Sequence, residues 1–448
     1  MGKGTSLIYS DRSDVGRRRA NNQDSRSVLP PSSPQQYRTR GWLFLVADGM
    51  GAHAAGEMAS GIAAERVPLV YEKSAHHSPA FALRRSIEQT NAEINAKGES
   101  AEEHRGMGTT CTTLVLVPRG ALVGHIGDSR VYRVRGRTID QLSRDHSLVW
   151  ELELAGGMSR EQAAGAAPKN IITRSMGPHP EVDVDLEGPF PVEEGDTFIL
   201  CSDGLSGQLE DAEIGLLAAE LEPREATAAL VGLALVRGAP DNVTVIVARA
   251  GAEEVSKVSG SDPPWPLTEA SSAGAGGGGA LPWKWLAAAA VSLFVALVSV
   301  GLWRGDGSPA PADTGLGGAV FPVLAAGALL AFLVSIVAAF IGFLTPADGD
   351  VRVLPPGRQL GKGPYRSSSC AAASGLIEPI VASIETASAG LPDAERERTM
   401  TILASVRRQA AEGAFHEAVV AAAQALSIYT RAVEQARGDT VAGPTSES

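Results

Sequence analysis

The chain has 448 residues, of which 44% are hydrophobic and 20% charged, and its length suggests about three structural units. A formal net charge of -12 argues against a nucleic-acid partner, because general nucleic-acid binders present a basic face. Cys111, Cys201 and Cys370 are too few and too widely spaced for a disulfide framework or a CxxC zinc pair, which fits a reducing compartment. The N-terminal segment lacks the apolar core of a secretory signal.

Residues 1–250 contain short apolar runs bounded by Gly, Asp and Pro, which predict buried strands and helices. The predicted strands are Trp42–Ala47, Thr112–Val117, Ala121–Ile126, Val131–Val134, Thr197–Leu200 and Val243–Val247. The predicted helices are Ala55–Tyr71, Pro79–Ala96, Leu148–Leu154 and Asp211–Ala219. Because strands and helices do not alternate regularly, the order favours paired antiparallel sheets with helices packed outside them.

Residues 251–282 are rich in Gly, Ser, Ala and Pro without an apolar period, which predicts a flexible linker. Two uncharged apolar stretches follow it. They predict transmembrane helices over residues 283–303 and 320–344, joined by a short loop at 304–319. Tryptophans flank the first stretch, as in an interfacial aromatic belt.

The distribution of basic residues around these stretches predicts their orientation. Lys284 precedes the first stretch and several Lys and Arg residues follow the second, whereas the loop between them has only Arg304. The positive-inside rule then predicts a multi-pass protein of the cytoplasmic membrane, with the N-terminal domain and the C-terminus facing the cytoplasm.

The C-terminal part begins with a predicted flexible segment at residues 345–374, and a helical region follows at 375–437. Two helices are predicted there, over residues 395–411 and 414–433, around the turn at Glu412-Gly413. The segment AEGAFHEAVVAAAQALSIY is similar to the second half of a tetratricopeptide repeat. Because stacked repeats need about three copies, an alanine-rich helical hairpin is the favoured interpretation.

Four motifs place an aspartate at a strand end or turn, and in three of them it is next to Gly or Asn. They are RANNQDS at 19–25, VADGMG at 46–51, CSDGL at 201–205 and DNVT at 241–244. Any one of them alone is ordinary turn chemistry. Together they predict a cation site, because gathered carboxylates repel one another unless cations lie between them. Hard oxygen ligands favour Mg²⁺ or Mn²⁺ over zinc, and a pair of such ions can clamp a phosphate.

Residues 1–250 resemble the metal-dependent serine/threonine protein phosphatases of type 2C, in their bacterial form. The motifs that carry the resemblance occur in family order: SDVGRRRANNQDS, VADGMGAHAAGE, GMGTTC, GDSRVYRVR, LSRDHSLV, NIITRSMG, LCSDGL and DNVTVIV. The predicted fold is therefore α+β. It is a four-layer αββα sandwich, two antiparallel sheets flanked by helices, followed by the two transmembrane helices and the C-terminal helical region.

The resemblance implies a binuclear Mg²⁺ or Mn²⁺ centre. Asp48 is expected to bridge the two ions, and the carbonyl of Gly49 to complete the shell of one of them. Asp203 and Asp241 are expected to hold a metal from the other side.

Four further roles follow from the same resemblance. Asp24 is expected to anchor metal-bound water, and Asp128 to serve a third, weaker metal. Arg19, five residues before Asp24, is expected to hold the substrate phosphate as a bidentate fork. Asn242 is expected to orient the loop that carries the neighbouring aspartate.

Several positions depart from the family pattern. Gln23 stands where many relatives have Glu, and Ala52 replaces a common Gly. Met50 stands where animal members carry a histidine that is proposed as a general acid, and the nearby His53 is assigned a capping or packing role. Cys201 is interpreted as a buried strand residue and not as a nucleophile.

The implied reaction is direct hydrolysis of phosphoserine and phosphothreonine in proteins, by in-line attack of a metal-bridging hydroxide without a covalent phosphoenzyme. The expected partners are phosphorylated proteins, cytoplasmic or membrane-bound Ser/Thr protein kinases, and the membrane. The alternative is a membrane-anchored signalling scaffold with an inactive phosphatase-like domain. Loss of a metal carboxylate would mark that alternative, and none is missing.

Overall fold

The computed structural model describes residues 7–51, 55–74, 76–156, 158–166, 168, 171–268, 283–305, 317–344 and 352–441. The chain divides into two units, Met1–Trp265 with Leu354–Ser448, and Pro266–Val353. The first unit thus joins the N-terminal and C-terminal parts of the chain, and the second is an insertion between them.

The strands form two large antiparallel sheets and one small pair. They are β1 Ile8–Asp14, β2 Asp24–Leu29, β3 Trp42–Met50, β4 Gly108–Thr109, β5 Cys111–Val117, β6 Gly120–Ile126, β7 Arg130–Arg135, β8 Thr138–Gln141, β9 Asp185–Phe190, β10 Thr197–Cys201, β11 Val243–Arg249, β12 Trp265–Pro266, β13 Val353–Leu354 and β14 Arg366–Ser369. The first sheet has the order β1-β11-β10-β7-β8-β14. The second has the order β2-β3-β5-β6-β9, with β4 paired to β3, and β12 pairs with β13.

The helices lie outside the sheets or in the insertion. They are α1 Pro34–Thr39, α2 Ala55–Lys73, α3 Pro79–Glu99, α4 Leu148–Gly156, α5 Arg160–Ala166, α6 Asp203–Ser206, α7 Asp211–Glu220, α8 Pro223–Val236, α9 Trp283–Gly305, α10 Gly317–Leu344, α11 Ser374–Ser388, α12 Asp393–Ala411 and α13 Phe415–Val441. Local sequence explains several starts. Ser78 accepts a hydrogen bond from the amide of Phe81 at the start of α3, and Pro223 opens α8.

The predicted four-layer sandwich is confirmed. The two sheets face each other across a core that includes Phe44, Leu114, Phe198 and Ile246, all fully buried. The helices α2 and α3 cover the second sheet, and α7 and α8 cover the first. Apolar residues on both faces of the strands explain this arrangement, because a sheet that is covered on both sides reads as a continuous apolar run.

The C-terminal helices form an additional layer on the sandwich. The predicted hairpin of α12 and α13 is confirmed, with its turn at Gly413, where φ is +79°. These helices and α11 share one apolar core with α7, α8 and the first sheet. The packing of α8 on α13 is close at Gly232, where an added Cβ would lie 3.3 Å from the Cβ of Leu426. The C-terminal helices are therefore part of the same unit as the sandwich.

The stretch that leads to these helices differs from the predicted flexible segment. The amides of Lys362 and Gly363 donate hydrogen bonds of 2.8 Å and 3.0 Å to Glu187 of β9. The hydroxyl of Tyr365 also bonds Glu187, and β14 then extends the first sheet at β8. Parts of the predicted linker, loop and second flexible segment, at 269–282, 306–316 and 345–351, lie outside the described residues.

The insertion contains α9 and α10, which pack against each other. Among the described residues, no helix is long and apolar enough to cross a membrane. The predicted transmembrane helices over 283–303 and 320–344 are therefore wrong, and so is the predicted multi-pass location in the cytoplasmic membrane.

The shared core predicts that the sandwich and the C-terminal helices unfold together. Leu426→Ala removes a fully buried side chain and should lower the free energy of unfolding by about 2–5 kcal/mol. Urea titration followed by tryptophan fluorescence, in a background with Trp283, Trp285 and Trp303 of the insertion replaced by Phe, should show one transition, shifted as a whole, because Trp42 and Trp150 lie in the sandwich part. Met400→Ala, at a side chain 37% exposed on α12, is the control and should change stability by about 0.5 kcal/mol or less. Two separate transitions, with the fluorescence midpoint unmoved, would contradict a shared core.

Candidate active site

Strand ends and turns of both sheets bring the four aspartate motifs to one edge of the sandwich. Asp24 begins β2 and lies directly opposite Asp48 of β3 in the antiparallel register. Asp203 begins α6 immediately after β10, and Asp241 lies in the turn before β11. Because β2 and β3 belong to one sheet and β10 and β11 to the other, the site forms only when the two sheets pack.

Asp24 is buried, and one of its carboxylate oxygens accepts a hydrogen bond of 2.8 Å from the hydroxyl of Ser202. Burial raises the pKa of Asp24 to about 7, and the negative charges of Asp203 and Asp241 add to this effect. Hydrogen bonds from Ser202 and Thr244 oppose the rise only in part. The site thus holds a carboxyl group whose ionised form is disfavoured by its surroundings.

Asp48 is subject to the same forces, and burial followed by the charges of nearby aspartates raises its pKa well above the ordinary value. Its backbone amide donates a hydrogen bond of 2.8 Å to the hydroxyl of Thr110. The next residue, Gly49, fits only without a side chain, because an added Cβ would lie 2.1 Å from the carbonyl oxygen of Gly56. Its amide bonds the carbonyl of Gln23 at 3.0 Å. The backbone that carries Asp48 is therefore fixed on both sides.

Asn242 connects the Asp241 turn to the loop between β1 and β2. Its side-chain amide donates to the carbonyls of Val15 and Asn21 at 2.9 Å and 3.0 Å. Its side-chain oxygen accepts from the amide of Gln23 at 2.8 Å. These three bonds hold the loop that carries Arg19 against the turn that carries Asp241.

Arg19 is half-exposed and lies beside the aspartates. Its Nη2 donates to Oδ2 of Asp241 at 2.8 Å. This hydrogen bond, together with the charges of Asp241, Asp48 and Asp203, raises the pKa of Arg19. The guanidinium therefore remains charged at the edge of the carboxylate cluster, where a phosphate could reach it.

Asp128 is buried, and its pKa is raised by burial and then by the charges of Asp203 and Asp145. Sequence reasoning did not assign a role to Arg130, two residues away, although the GDSR motif contains it. Arg130 is buried and forms an ion pair of 2.6 Å with Asp145 of the SRDH motif, and it bonds the hydroxyl of Tyr132 at 2.8 Å. Its positive charge lowers the pKa of Asp128 and of Asp203. The sequence did contain a signal for this ion pair, because Arg130 and Asp145 are charged residues inside the GDSRVYRVR and LSRDHSLV motifs.

The chemistry of these oxygens fits divalent cations. Three buried carboxylate oxygens, Oδ1 of Asp24, of Asp128 and of Asp203, have no hydrogen-bond partner within the described part of the chain. Buried polar atoms are normally paired, so unpaired anionic oxygens in one cluster favour a cation ligand. The described residues contain no group of three such side chains already arranged around one point.

A cleft of about 810 Å³ opens beside the cluster. Asp128, Asp203 and Asp241 line one part of it, and Trp150 and Arg366 line another. The guanidinium of Arg366 stacks over the ring of Trp150, with its central carbon 3.9 Å from the ring centroid. The cleft has room for a phosphorylated side chain and its neighbours.

Two other predicted features have different outcomes. Cys201 is fully buried in β10, and burial raises the pKa of its thiol to about 12, so its interpretation as a strand residue is confirmed. Ala52 and His53 lie outside the described residues, and the capping or packing role of His53 stays a prediction.

Comparison with known proteins shows which family has these motifs. A family model described as Protein phosphatase 2C matches residues 17–232. The protein phosphatase PhpP of Streptococcus pneumoniae serotype 2 is 35% identical over 254 residues, which cover 54% of this chain and 96% of PhpP. The chain belongs to the protein phosphatase 2C family. It is therefore a metal-dependent serine/threonine phosphatase that acts on phosphorylated proteins, as the sequence motifs predicted.

Other bacterial serine/threonine phosphatases have similar sequence identity to this chain and similar coverage of it. The serine/threonine phosphatase stp of Listeria monocytogenes serovar 1/2a is 33% identical over 241 residues, which cover 53% of this chain and 93% of stp. The solved structure of the Mycobacterium tuberculosis phosphatase PstP/Ppp is 35% identical and covers 55% of this chain and 99% of that one, with a TM-score of 0.49. A structure of the PstP catalytic domain in complex with 2 manganese ions is 34% identical, with 54% and 97% coverage and a TM-score of 0.45.

Burial of Asp24, together with repulsion from the neighbouring aspartates, predicts a stability change that depends on pH. In EDTA at pH 8, Asp24→Asn should raise the free energy of unfolding by up to about 4 kcal/mol, because the pKa of Asp24 rises from 3.8 to about 7 on folding and each pKa unit corresponds to 1.36 kcal/mol. A carboxyl whose pKa rises on folding, here to about 7, destabilises the folded state as pH rises through that value, and Asn does not ionise. The gain should shrink when the urea titration is repeated at pH 5, where folded Asp24 is protonated. A gain that is equal at both pH values would show that the ionised carboxylate of Asp24 is not its cause.

Proposed function

We propose that Asp48, Gly49, Asp203 and Asp241 hold two Mn²⁺ or Mg²⁺ ions, with Asp24 supporting the same centre. A third, weaker ion is proposed at Asp128. The observation that carries this proposal is the set of buried carboxylate oxygens without hydrogen-bond partners in the described residues, two of which, at Asp128 and Asp203, belong to residues that line the cleft. When bound, the ions would neutralise the phosphate and activate a water for attack on phosphorus.

The residues of the chain itself supply the remaining parts of the reaction. Arg19 is proposed to bind two oxygens of the substrate phosphate as a planar fork. Asn242 is proposed to keep the Asp241 turn and the Arg19 loop in register, through its three hydrogen bonds. No thiolate nucleophile is needed, which agrees with the raised pKa of Cys201. Most of the rate enhancement would then be electrostatic.

We propose further that the catalytic domain comprises residues 1–250 and that its substrates are products of Ser/Thr protein kinases. The family match at 17–232 supports these boundaries. The alternative of an inactive scaffold gains no support, because each proposed metal carboxylate is present and the aspartates meet at one edge of the fold.

Removal of metal is the direct test of the metal centre. The full chain should hydrolyse p-nitrophenyl phosphate and a phosphothreonine peptide with Mn²⁺ or Mg²⁺, and EDTA should abolish both activities. Asp203→Asn or Asp241→Asn should lower kcat by about 100-fold or more, because each change deletes a charged ligand. Glu225→Gln, at an exposed carboxylate on α8, controls for loss of charge and should have wild-type kinetics. Undiminished turnover in EDTA would contradict the proposed centre.

Replacement of Arg19 separates phosphate binding from metal binding. Arg19→Ala should lower kcat/KM by about 10–100-fold, because the phosphate loses its charged fork. The Mn²⁺ concentration for half activation should remain near wild type, because the amide of Asn242 still bonds Asp241 at 2.9 Å. Arg19→Lys should restore activity only in part. Arg18→Ala, in the same arginine run, is the matched control and should have little effect. If the Mn²⁺ requirement shifts as much as kcat/KM does, the proposed role of Arg19 is wrong.

A further inference from the structure

The loop between β1 and β2, residues 15–23, carries three consecutive arginines, and its first residues pack directly on the active site. Gly16 adopts φ +75°, and an added Cβ there would lie 2.0 Å from the carbonyl oxygen of Asp241. The amide of Arg17 donates to the carbonyl of Ala239 at 2.8 Å. Since the backbone at Gly16 touches the Asp241 turn without intervening atoms, any displacement of this end of the loop moves Arg19 relative to that turn.

The last helix, α13, binds this same end of the loop. Nη1 of Arg437 contacts the two carboxylate oxygens of Asp14 at 3.0 Å and 3.2 Å. Nη2 of Arg437 donates to the carbonyl oxygen of Gly16 at 2.6 Å. One guanidinium therefore joins the last residue of β1 to the second residue of the loop. Asp14 in turn accepts a hydrogen bond of 2.8 Å from the amide of Gly16. Asp14, Gly16 and Arg437 are therefore each hydrogen-bonded to the other two.

A second contact from α13 reaches the arginine run itself. Nη1 of Arg17 donates to the hydroxyl of Tyr429 at 2.5 Å. The ring of Tyr429 is buried in the core that α13 shares with α8, so the position of its hydroxyl is set by packing. This contact turns Arg17 toward α13, whereas Arg19, two residues later, contacts Asp241. The two arginines of the loop therefore contact different elements, Arg17 the helix α13 and Arg19 the Asp241 turn.

Both contacts come from a part of the chain beyond the family match, which ends at residue 232. We propose that α13 holds the loop in position for phosphate binding, and that Tyr429 and Arg437 are positioning residues that act through Arg17, Asp14 and Gly16 on Arg19. The proposal rests on the proposed role of Arg19. Its physical basis is that misplacement of a binding group by about 1 Å can cost up to about 100-fold in rate.

The test uses the full chain and two variants that act on different contacts. Arg437→Gln removes the guanidinium at Asp14 and Gly16, and Tyr429→Phe removes only the hydroxyl and keeps the packed ring. Each should lower kcat/KM for a phosphothreonine peptide by about 3–10-fold, mainly through KM. Inhibition by inorganic phosphate should weaken by a similar factor, while the Mn²⁺ requirement is unchanged. Tyr429→Phe keeps the test valid if Arg437→Gln does not fold.

The matched control is Glu434→Gln, on the same helix. Glu434 pairs with Arg12 of β1 at 2.5 Å. Arg12 lies on the strand and not in the loop. This change removes a contact of α13 with the N-terminal part of the chain, yet it should leave phosphate inhibition and KM at wild-type values. An equal effect of all three variants would reduce α13 to a general stabilising element and overturn the proposal.

A double-mutant cycle with Arg19→Ala distinguishes the phosphate-binding role of Arg19 from the positioning role of Tyr429 and Arg437. If Tyr429 and Arg437 act through Arg19, adding Arg437→Gln or Tyr429→Phe to Arg19→Ala should cause no further loss of phosphate affinity. Independent, multiplying losses would overturn the positioning role and leave the role of Arg19 intact. If Arg19→Ala alone does not change inhibition by phosphate, the proposed function of Arg19 fails, and the positioning proposal fails with it.

Discussion

Mutual repulsion among buried carboxylates is the constraint that the surrounding structure has to accommodate. Asp24 and Asp48 face each other across adjacent strands, where like charges are destabilising. Burial makes this worse, because it removes the water that would screen them. The structure opposes the repulsion with neutral donors and with rigid backbone, such as the hydroxyl of Ser202 and the close contact at Gly49. A sandwich of two sheets suits this task, since strand ends from both sheets can be fixed by separate hydrogen-bond ladders.

The same constraint explains why cationic side chains surround the cluster at different depths. Arg130 is buried and neutralises part of the charge from behind, where it is itself held by Asp145. Arg19 lies at the open side and remains half-exposed. A buried guanidinium is suited to a permanent structural role, because releasing it would leave uncompensated charge. An exposed one can exchange its carboxylate partner for an incoming phosphate at little cost.

Sequence patterns predicted the parts of the fold that depend on local apolar periodicity. The strand at Trp42 and the helix at Pro79 are examples, since continuous apolar runs and a proline start mark them. The strand Ile8–Asp14 was missed because most of its residues are polar and only its pairing with β11 makes it a strand. The two uncharged stretches of the insertion were misinterpreted because lack of charge alone does not establish a membrane span.

The motifs identified the aspartates of the site, because each occurs at a strand end or turn and most stand beside Gly or Asn. The contacts that the C-terminal part of the chain makes with the cleft and with the arginine loop could not be predicted from the sequence. Neither the stacking of Arg366 on Trp150 nor the contact of Tyr429 with Arg17 has a local signature, since each joins residues more than 200 positions apart. The contact of Tyr429 depends on how α8 and α13 pack, and packing of alanine-rich helices leaves little trace in the spacing of apolar residues. The stacking of Arg366 depends on the pairing of β14 with β8.

The position of Arg366 and α13 after the insertion also has a consequence for biosynthesis. A ribosome releases strands β1–β11 of the sandwich first, whereas β14, one wall of the cleft and the last layer of the shared core follow only after the insertion has been made. At about 5–20 residues per second, the stretch from Gly251 to Arg437 takes on the order of 10–40 s to synthesise. During that interval the apolar face of α8 lacks its partner. The nascent chain therefore passes through a stage in which a chaperone could bind that face before the enzyme is complete.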